Sequence, residues 1–455
     1  KYSRYRIIEP KEKRQEISLR EKFPKKVQKS CSEQDECIKL EEYTSQVKCS
    51  VPAECINQPA PAAQSLCTTE VRAGGVSLGA PRLAAGASGS YIPTESEIAH
   101  AAEYLSPAEK VVRAGNARMR LVTVLLVVFI LVAFICSLML GRFPIEVDQA
   151  FSMMANRVTQ FFANTNVIEP TWTAQAEALF FNVRMPRIIM ALLVGCCLAA
   201  AGAAFQGVFQ NPLASPDILG ASQGAALGAA IAILTGMGSF GISAFAFAFS
   251  MFTVLLVLMI SNRAKGNRIL VTVLAGVMVS SLFSAGVSFA KLVADPADQL
   301  PAITYWLMGS LTSIQMKDVL MALPFMAVGL VVLFVMRWRI NILTMGDDEA
   351  ATMGVNARRI RLVVTLAATL VTAASVAVTG MIGWVGLVIP HLCRMVVGCD
   401  YRKLMPTSML MGAGFLLIVD DVSRLLTTAE IPIGILTAFI GAPFFLYLIT
   451  RKKKI

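Results

Sequence analysis

Arg184-Met185-Pro186-Arg187 places two guanidiniums on a rigid proline turn, a good receptor for carboxylates through bidentate, charge-assisted bonds. Asp420-Asp421-Val422-Ser423-Arg424 sets a third arginine three and four residues from two acids, the spacing of an intrahelical ion pair. Lipid-phosphate anchoring is the alternative for Arg184 and Arg187, and a structural pair with Asp420 or Asp421 is the alternative for Arg424. Catalysis has little to work with. Of two histidines, His100 lies in the N-terminal region and His391 follows Pro390, and one per region supports neither a zinc site nor a Ser-His-Asp triad. A phosphate-binding loop needs G-x-x-x-x-G-K-[ST], yet none of the 31 glycines is followed by lysine. The chain reads as a non-enzyme that binds no cofactor of its own, and any ATP it depends on is hydrolysed by another polypeptide.

The elements that must position these groups are membrane spans. The chain of 455 residues is 55% hydrophobic and 16% charged, against roughly 45–50% and 25% in soluble domains. Leu121 to Leu140 is twenty residues without a charge, enough to cross a hydrocarbon core about 30 Å thick. Further apolar stretches run approximately over residues 188–208, 221–234, 240–260, 269–293, 319–336, 362–378, 383–397, 404–419 and 434–449. The fold class expected is therefore an all-α polytopic membrane protein of about ten helices, several short and Gly-rich.

Threaded alternately, these spans put most basic residues on one side: Arg113, Arg118 and Arg120, Arg263, Lys265 and Arg268, Arg337 to Arg361, Arg402 and Lys403, and Arg451 to Lys454. The positive-inside rule makes that side cytoplasmic, with both termini there. The net charge of +11 is thus explained by topology before any nucleic acid is invoked. Arg184 and Arg187 fall on the opposite, outer side, where the rule does not place them.

Four motifs stand out: the Arg184–Arg187 step, Asn211-Pro212-Leu213-Ala214-Ser215-Pro216-Asp217-Ile218-Leu219-Gly220, the loop Gly346 to Val355 and Gly383-Trp384-Val385-Gly386-Leu387-Val388-Ile389-Pro390-His391. With Glu430 to Gly434 and Gly441-Ala442-Pro443, in this order, they resemble the FecCD-type permease family of ABC importers for ferric siderophores, haem and vitamin B12. The resemblance covers roughly residues 143–455. It implies ten helices per subunit, a second permease copy (homodimer or homologous heterodimer), two cytoplasmic ATPases, an extracytoplasmic substrate-binding protein, and a multi-pass place in a bacterial cell membrane. It also implies that Arg184, Arg187 and Arg424 dock the binding protein. Glu349, Ala350, Ala351 and Gly354, within a cytoplasmic coupling loop at 337–361, would contact the ATPase. By position only, Ala264, Lys265, Gly266 and Asn267 match a cytoplasmic gate. The function expected is translocation of an iron-siderophore or related chelate by alternating access. An ion-gradient-driven secondary transporter is the alternative, and no site here suits nucleic acid.

Residues 1–112, ahead of a permease domain at 113–455, have no counterpart in that resemblance. They read as a cytoplasmic, largely disordered extension, Lys- and Glu-rich at first and Ala/Gly/Pro-rich over 60–89, with an amphipathic helix expected over residues 94–112. Cys31, Cys37, Cys49, Cys55 and Cys67 are the metal-ligand candidates, since thiolates suit zinc and Fe–S clusters. Their separations of 6, 12, 6 and 12 lack the close pair such sites use. Cys136, Cys196, Cys197, Cys393 and Cys399 lie in or beside spans and read as packing residues.

Overall fold

The ten apolar stretches all form helices in the structure, a computed structural model that describes residues 72–73, 76–77, 95–141, 143, 145–163, 172–264 and 268–450. The chain divides into two compact units, residues 1–93 and 94–455. In the first, the described residues form one antiparallel pair, β1 (Arg72–Ala73) with β2 (Val76–Ser77). The five N-terminal cysteines lie outside the described residues.

The second unit runs α1 (Glu95–Met139), α2 (Val147–Ala163), α3 (Ala174–Leu179), α4 (Met185–Val208), α5 (Ala221–Leu234), α6 (Ser239–Arg263), α7 (Arg268–Val293), α8 (Gln299–Met308), α9 (Met316–Leu343), α10 (Asp347–Thr352), α11 (Ala357–Thr379), α12 (Val385–Val397), α13 (Tyr401–Leu425) and α14 (Ile433–Thr450). Among the described residues, seven segments are long and apolar enough to cross a membrane, and α5, α12 and residues 433–447 are shorter apolar helices. The amphipathic stretch expected at 94–112 and the first span lie in one continuous helix, α1, which carries Pro107 and Gly115 within it.

Two faces of the bundle differ. α4 and α11 are buried nearly all round, whereas α6, α7 and α9 expose large apolar side chains such as Met278, Leu282 and Phe289 on their outer faces, as spans facing lipid or another apolar surface must. Packing at the centre depends on glycine. A Cβ on Gly202 of α4 would lie 1.8 Å from the Gly386 oxygen at the start of α12, so only a hydrogen lets the two backbones meet.

α5 and α12 are half-helices. At 1.5 Å per residue, their 14 and 13 residues span only about 20 Å. Each starts deep in the bundle. Gly220, which caps α5 at φ +77°, faces Ser280 in the middle of α7, and Trp384 before α12 packs on Gly441 in the middle of α14. The segments 209–220, which include a 3-10 turn at Pro216–Leu219, and 380–384 therefore enter from opposite ends and meet inside, where a Cβ on Gly386 would lie 3.6 Å from Pro216 Cδ. Non-helical backbone at that depth persists only where it is buried or lines a cavity.

Candidate functional site

Three features carry the chemistry: an arginine–carboxylate cluster at one end, a small helical knob at the other, and a cavity between the half-helices.

The cluster begins with a distorted helix. Pro186 has no N–H to give the carbonyl four residues back, and the preceding turn widens into a π-helix over Phe180–Arg184, with the Met185 N–H donating to the Phe180 carbonyl. Arg184 and Arg187, three apart, both turn inward, with exposures of 4% and 3%. Arg184 closes the end of α1: its Nη1 donates to the carbonyls of Leu138 at 2.6 Å and Met139 at 3.3 Å, and its Nη2 donates to that of Phe143. A cation among the last carbonyls of a helix satisfies orphan acceptors and complements the dipole.

Arg187 reaches across to α13. Its Nε donates to Asp420 Oδ1 at 2.9 Å and Oδ2 at 3.1 Å, its Nη2 lies 2.9 Å from Asp420 Oδ1, and its Nη1 donates to Glu430 Oε2 at 2.8 Å. Arg424 completes the set. Its Nε lies 3.4 Å from Asp420 Oδ2, and its Nη2 donates to Asp421 Oδ1 and, at 2.8 Å, to Ser137 Oγ of α1. Ser137 Oγ in turn donates to Asp421 Oδ1 at 2.7 Å. The structural pairs expected of Arg424 with Asp420 and Asp421 are thus present. The three docking candidates do converge at one end, but they are buried, and the bonds named here tie α1, α4, α13 and the loop before α14 together. Glu430, its side chain 28% exposed against 0% for Asp420, carries the carboxylates of the cluster toward the surface. Its link to Arg187 spans 243 positions and has no local sequence signal.

At the other end, α10 is bounded by Gly346 at φ +133° and Gly354 at φ +72°. The knob is held by Arg361 of α11, whose Nη1 and Nη2 donate to Asp347 at 3.1 and 2.8 Å. Glu349, Ala351 and Gly354 are exposed, flanked by exposed Met345 and Met353. Ala350 is fully buried, so it packs beneath the knob and belongs to its base rather than its contact surface. Of the gate candidates, Ala264 is exposed and ends α6, its N–H donating to the Ile260 carbonyl. Lys265, Gly266 and Asn267 lie outside the described residues.

Between the ends, a cavity of ≈ 860 Å³ is lined by Asp217, Ser222, Gln223 and Ser280 on one side and by Trp384, Gly434, Ala438 and Ala442 on another. Asp217 accepts a hydrogen bond from Ser222 at the first turn of α5, where the helix N-terminus favours a carboxylate. Trp384 holds φ +68°, an unfavourable conformation for a bulky residue. An acid facing a cavity at this depth is a candidate functional position. The motif containing Asp217 is recognisable in sequence, but its depth is not. Among the described residues no group of three His, Cys, Asp or Glu is placed to hold a metal ion.

This architecture has close relatives. The chain is 39% identical over 331 residues to the molybdate import system permease protein MolB of Haemophilus influenzae, covering 72% of this chain and 95% of that one. It is 42% identical over 279 residues to the cobalamin import system permease protein BtuC of Halobacterium salinarum, covering 61% and 75%. A solved structure described as an inward-facing conformation of a metal-chelate type ABC transporter superposes with a TM-score of 0.62 at 37% identity, over 71% of this chain and 97% of that one. The FecCD transport family matches residues 128–451, and the chain belongs to that family of membrane permease subunits of ABC transporters.

Proposed function

We propose that this permease passes a metal chelate, of the iron-siderophore, haem or cobalamin kind, into the cytoplasm by alternating access, with ATP hydrolysed on two partner subunits. The family match over residues 128–451 carries the reading. Two geometric features support it: a compact knob at 347–352 fit to seat in a partner's groove, and half-helices that open a cavity at mid-depth. The molybdate relative widens the cargo beyond chelates, so the chelate is the part most in need of a test.

In this reading the knob end is cytoplasmic, in keeping with the basic residues gathered there. Glu349, Ala351 and Gly354 contact an ATPase, Ala264 to Asn267 gate the inner side, and a second permease copy covers the exposed apolar face. The end organised by Arg184, Arg187 and Arg424 docks an extracytoplasmic binding protein. Those arginines hold the docking surface in shape, and Arg187 reaches its edge through Glu430.

The test is uptake by proteoliposomes holding the complete complex, offered ferric siderophore, haem, cobalamin and molybdate in turn. ATP-dependent uptake of one of the first three, unchanged by a protonophore, is the expected result. Asp217 is the group an ion-gradient carrier would use, and uptake that survives ATP depletion but collapses with the proton gradient would establish that alternative.

A further inference from the structure

One carboxylate oxygen, Glu430 Oε2, accepts from both Arg187 Nη1 at 2.8 Å and Thr312 Oγ1 at 2.7 Å. Its side chain is 28% exposed, it stands three residues before the start of α14, and α14 lines the cavity through Gly434, Ile435 and Ala438. We propose that Glu430 is an internal stand-in for a carboxylate of the docking protein: an incoming acidic side chain takes its place on Arg187, and the loop at 426–432 and the start of α14 are released. This rests on the docking reading above and adds to it a path from docking to the cavity.

The geometry separates the two acids that share Arg187. Asp420 is fully buried between Arg187 and Arg424, so replacing it would leave each of two buried guanidiniums with one carboxylate fewer. Glu430 is partly solvated and sits on a loop whose neighbours 425–429 are exposed, so its exchange for another carboxylate conserves the charge balance around Arg187 and leaves the cluster intact. What Glu430 holds is also local. Beyond it, the loop is fastened by Ser423 Oγ donating to the Ile431 carbonyl at 2.6 Å, by the Ile431 N–H donating to the Ser423 carbonyl, and by the Ile433 N–H donating to the Gly309 carbonyl at 2.9 Å. Thr312 stands in the same turn between α8 and α9, and Leu307 and Met308 of α8 line the cavity. Releasing Glu430 therefore loosens both segments that close the cavity at this end, α8 and the start of α14.

An internal occupant lowers apparent affinity by the fraction of time it keeps the site, so removing it tightens binding. The experiment measures affinity of the substrate-loaded binding protein for the permease–ATPase complex in nanodiscs. Glu430→Gln, which is similar in size, tightens it roughly ten-fold, Arg187→Gln weakens it, and the surface control Arg402→Gln, at an exposed position outside the cluster and the knob, leaves it unchanged. A second readout uses the wild type: hydrogen exchange at the Ile431 and Ile433 amides accelerates when the binding protein docks. If Arg187→Gln weakens binding while Glu430→Gln does not tighten it, or if those amides become more protected on docking, the displacement is overturned and docking stands. Unchanged affinity in Arg187→Gln overturns the docking reading itself.

Discussion

The two ends of the bundle each carry arginines bonded to carboxylates, and the chemistry is the same while the surroundings are opposite. At the cluster end Arg187, Arg424 and Asp420 are excluded from solvent, and three helices depend on them. At the knob end Asp347 is largely exposed, and Arg361 clips a six-residue helix to α11. Burial decides what such a pair is for. Removing one member of a buried set leaves an uncompensated charge, whereas an exposed pair is screened and contributes little. One end is a brace and the other a clip that lets a surface element seat against something else.

The sharpest way to break this comparison is Asp420→Ala. It leaves Arg187 and Arg424 buried with half their partners, and the expected loss is about 3–5 kcal/mol. Thermal unfolding of the purified protein in detergent measures it. A loss as small as that of the exposed clip would mean that water reaches the cluster and that the contrast drawn between the ends is false.

The middle of the molecule is tested by Gly220→Ala. Gly220 holds φ +77°, and an added Cβ would lie 2.6 Å from Ser280 Oγ and 3.1 Å from Thr253 Cγ2. A left-handed alanine with that crowding costs about 1–3 kcal/mol, and it pushes α5 away from α6 and α7 just where Asp217 faces the cavity. Uptake falls more than stability does if the half-helix junction shapes the pathway. Equal losses would make Gly220 a packing residue alone.

What the sequence revealed and what it hid follow the same divide between local and distant causes. All ten apolar stretches were legible because hydropathy over twenty residues is a local property with one physical meaning in lipid. The knob was legible from the glycines that bound it. α2 and α8 were not, since neither is a long apolar run: α2 carries Asp148, Asn156 and Arg157 among its apolar residues, and α8 is ten residues long. The three arginines were found, but the number of internal acceptors waiting for them was not. Glu430 sits 243 positions from Arg187, and Leu138, Met139 and Phe143 offer only backbone carbonyls, which no residue type announces. Asp217 shows the same limit. Its motif is plain in the sequence, yet that the chain re-enters the bundle there depends on α5 being too short to span, and on Thr253 and Ser280 waiting at its depth.

The smallest expected effect on stability belongs to Asp347→Asn, and it is also the one that separates clip from brace most directly. The amide keeps the size and one acceptor but removes the charge facing Arg361, whose two donors lie 3.1 and 2.8 Å from the carboxylate. Because Asp347 is exposed, the stability lost is about 0–1 kcal/mol and shrinks further in high salt. The knob nonetheless loses its fixed angle to α11, which runs from Arg361 up through the buried Thr372 beside the half-helix junction. If the knob transmits ATPase closure to the membrane helices, the mutant complex hydrolyses ATP at close to the normal rate while moving less substrate per ATP. That ratio, measured in the same vesicles, is the deciding quantity. An unchanged ratio with a lowered melting temperature would turn the clip into a second brace, and the functional division between the two ends would fail.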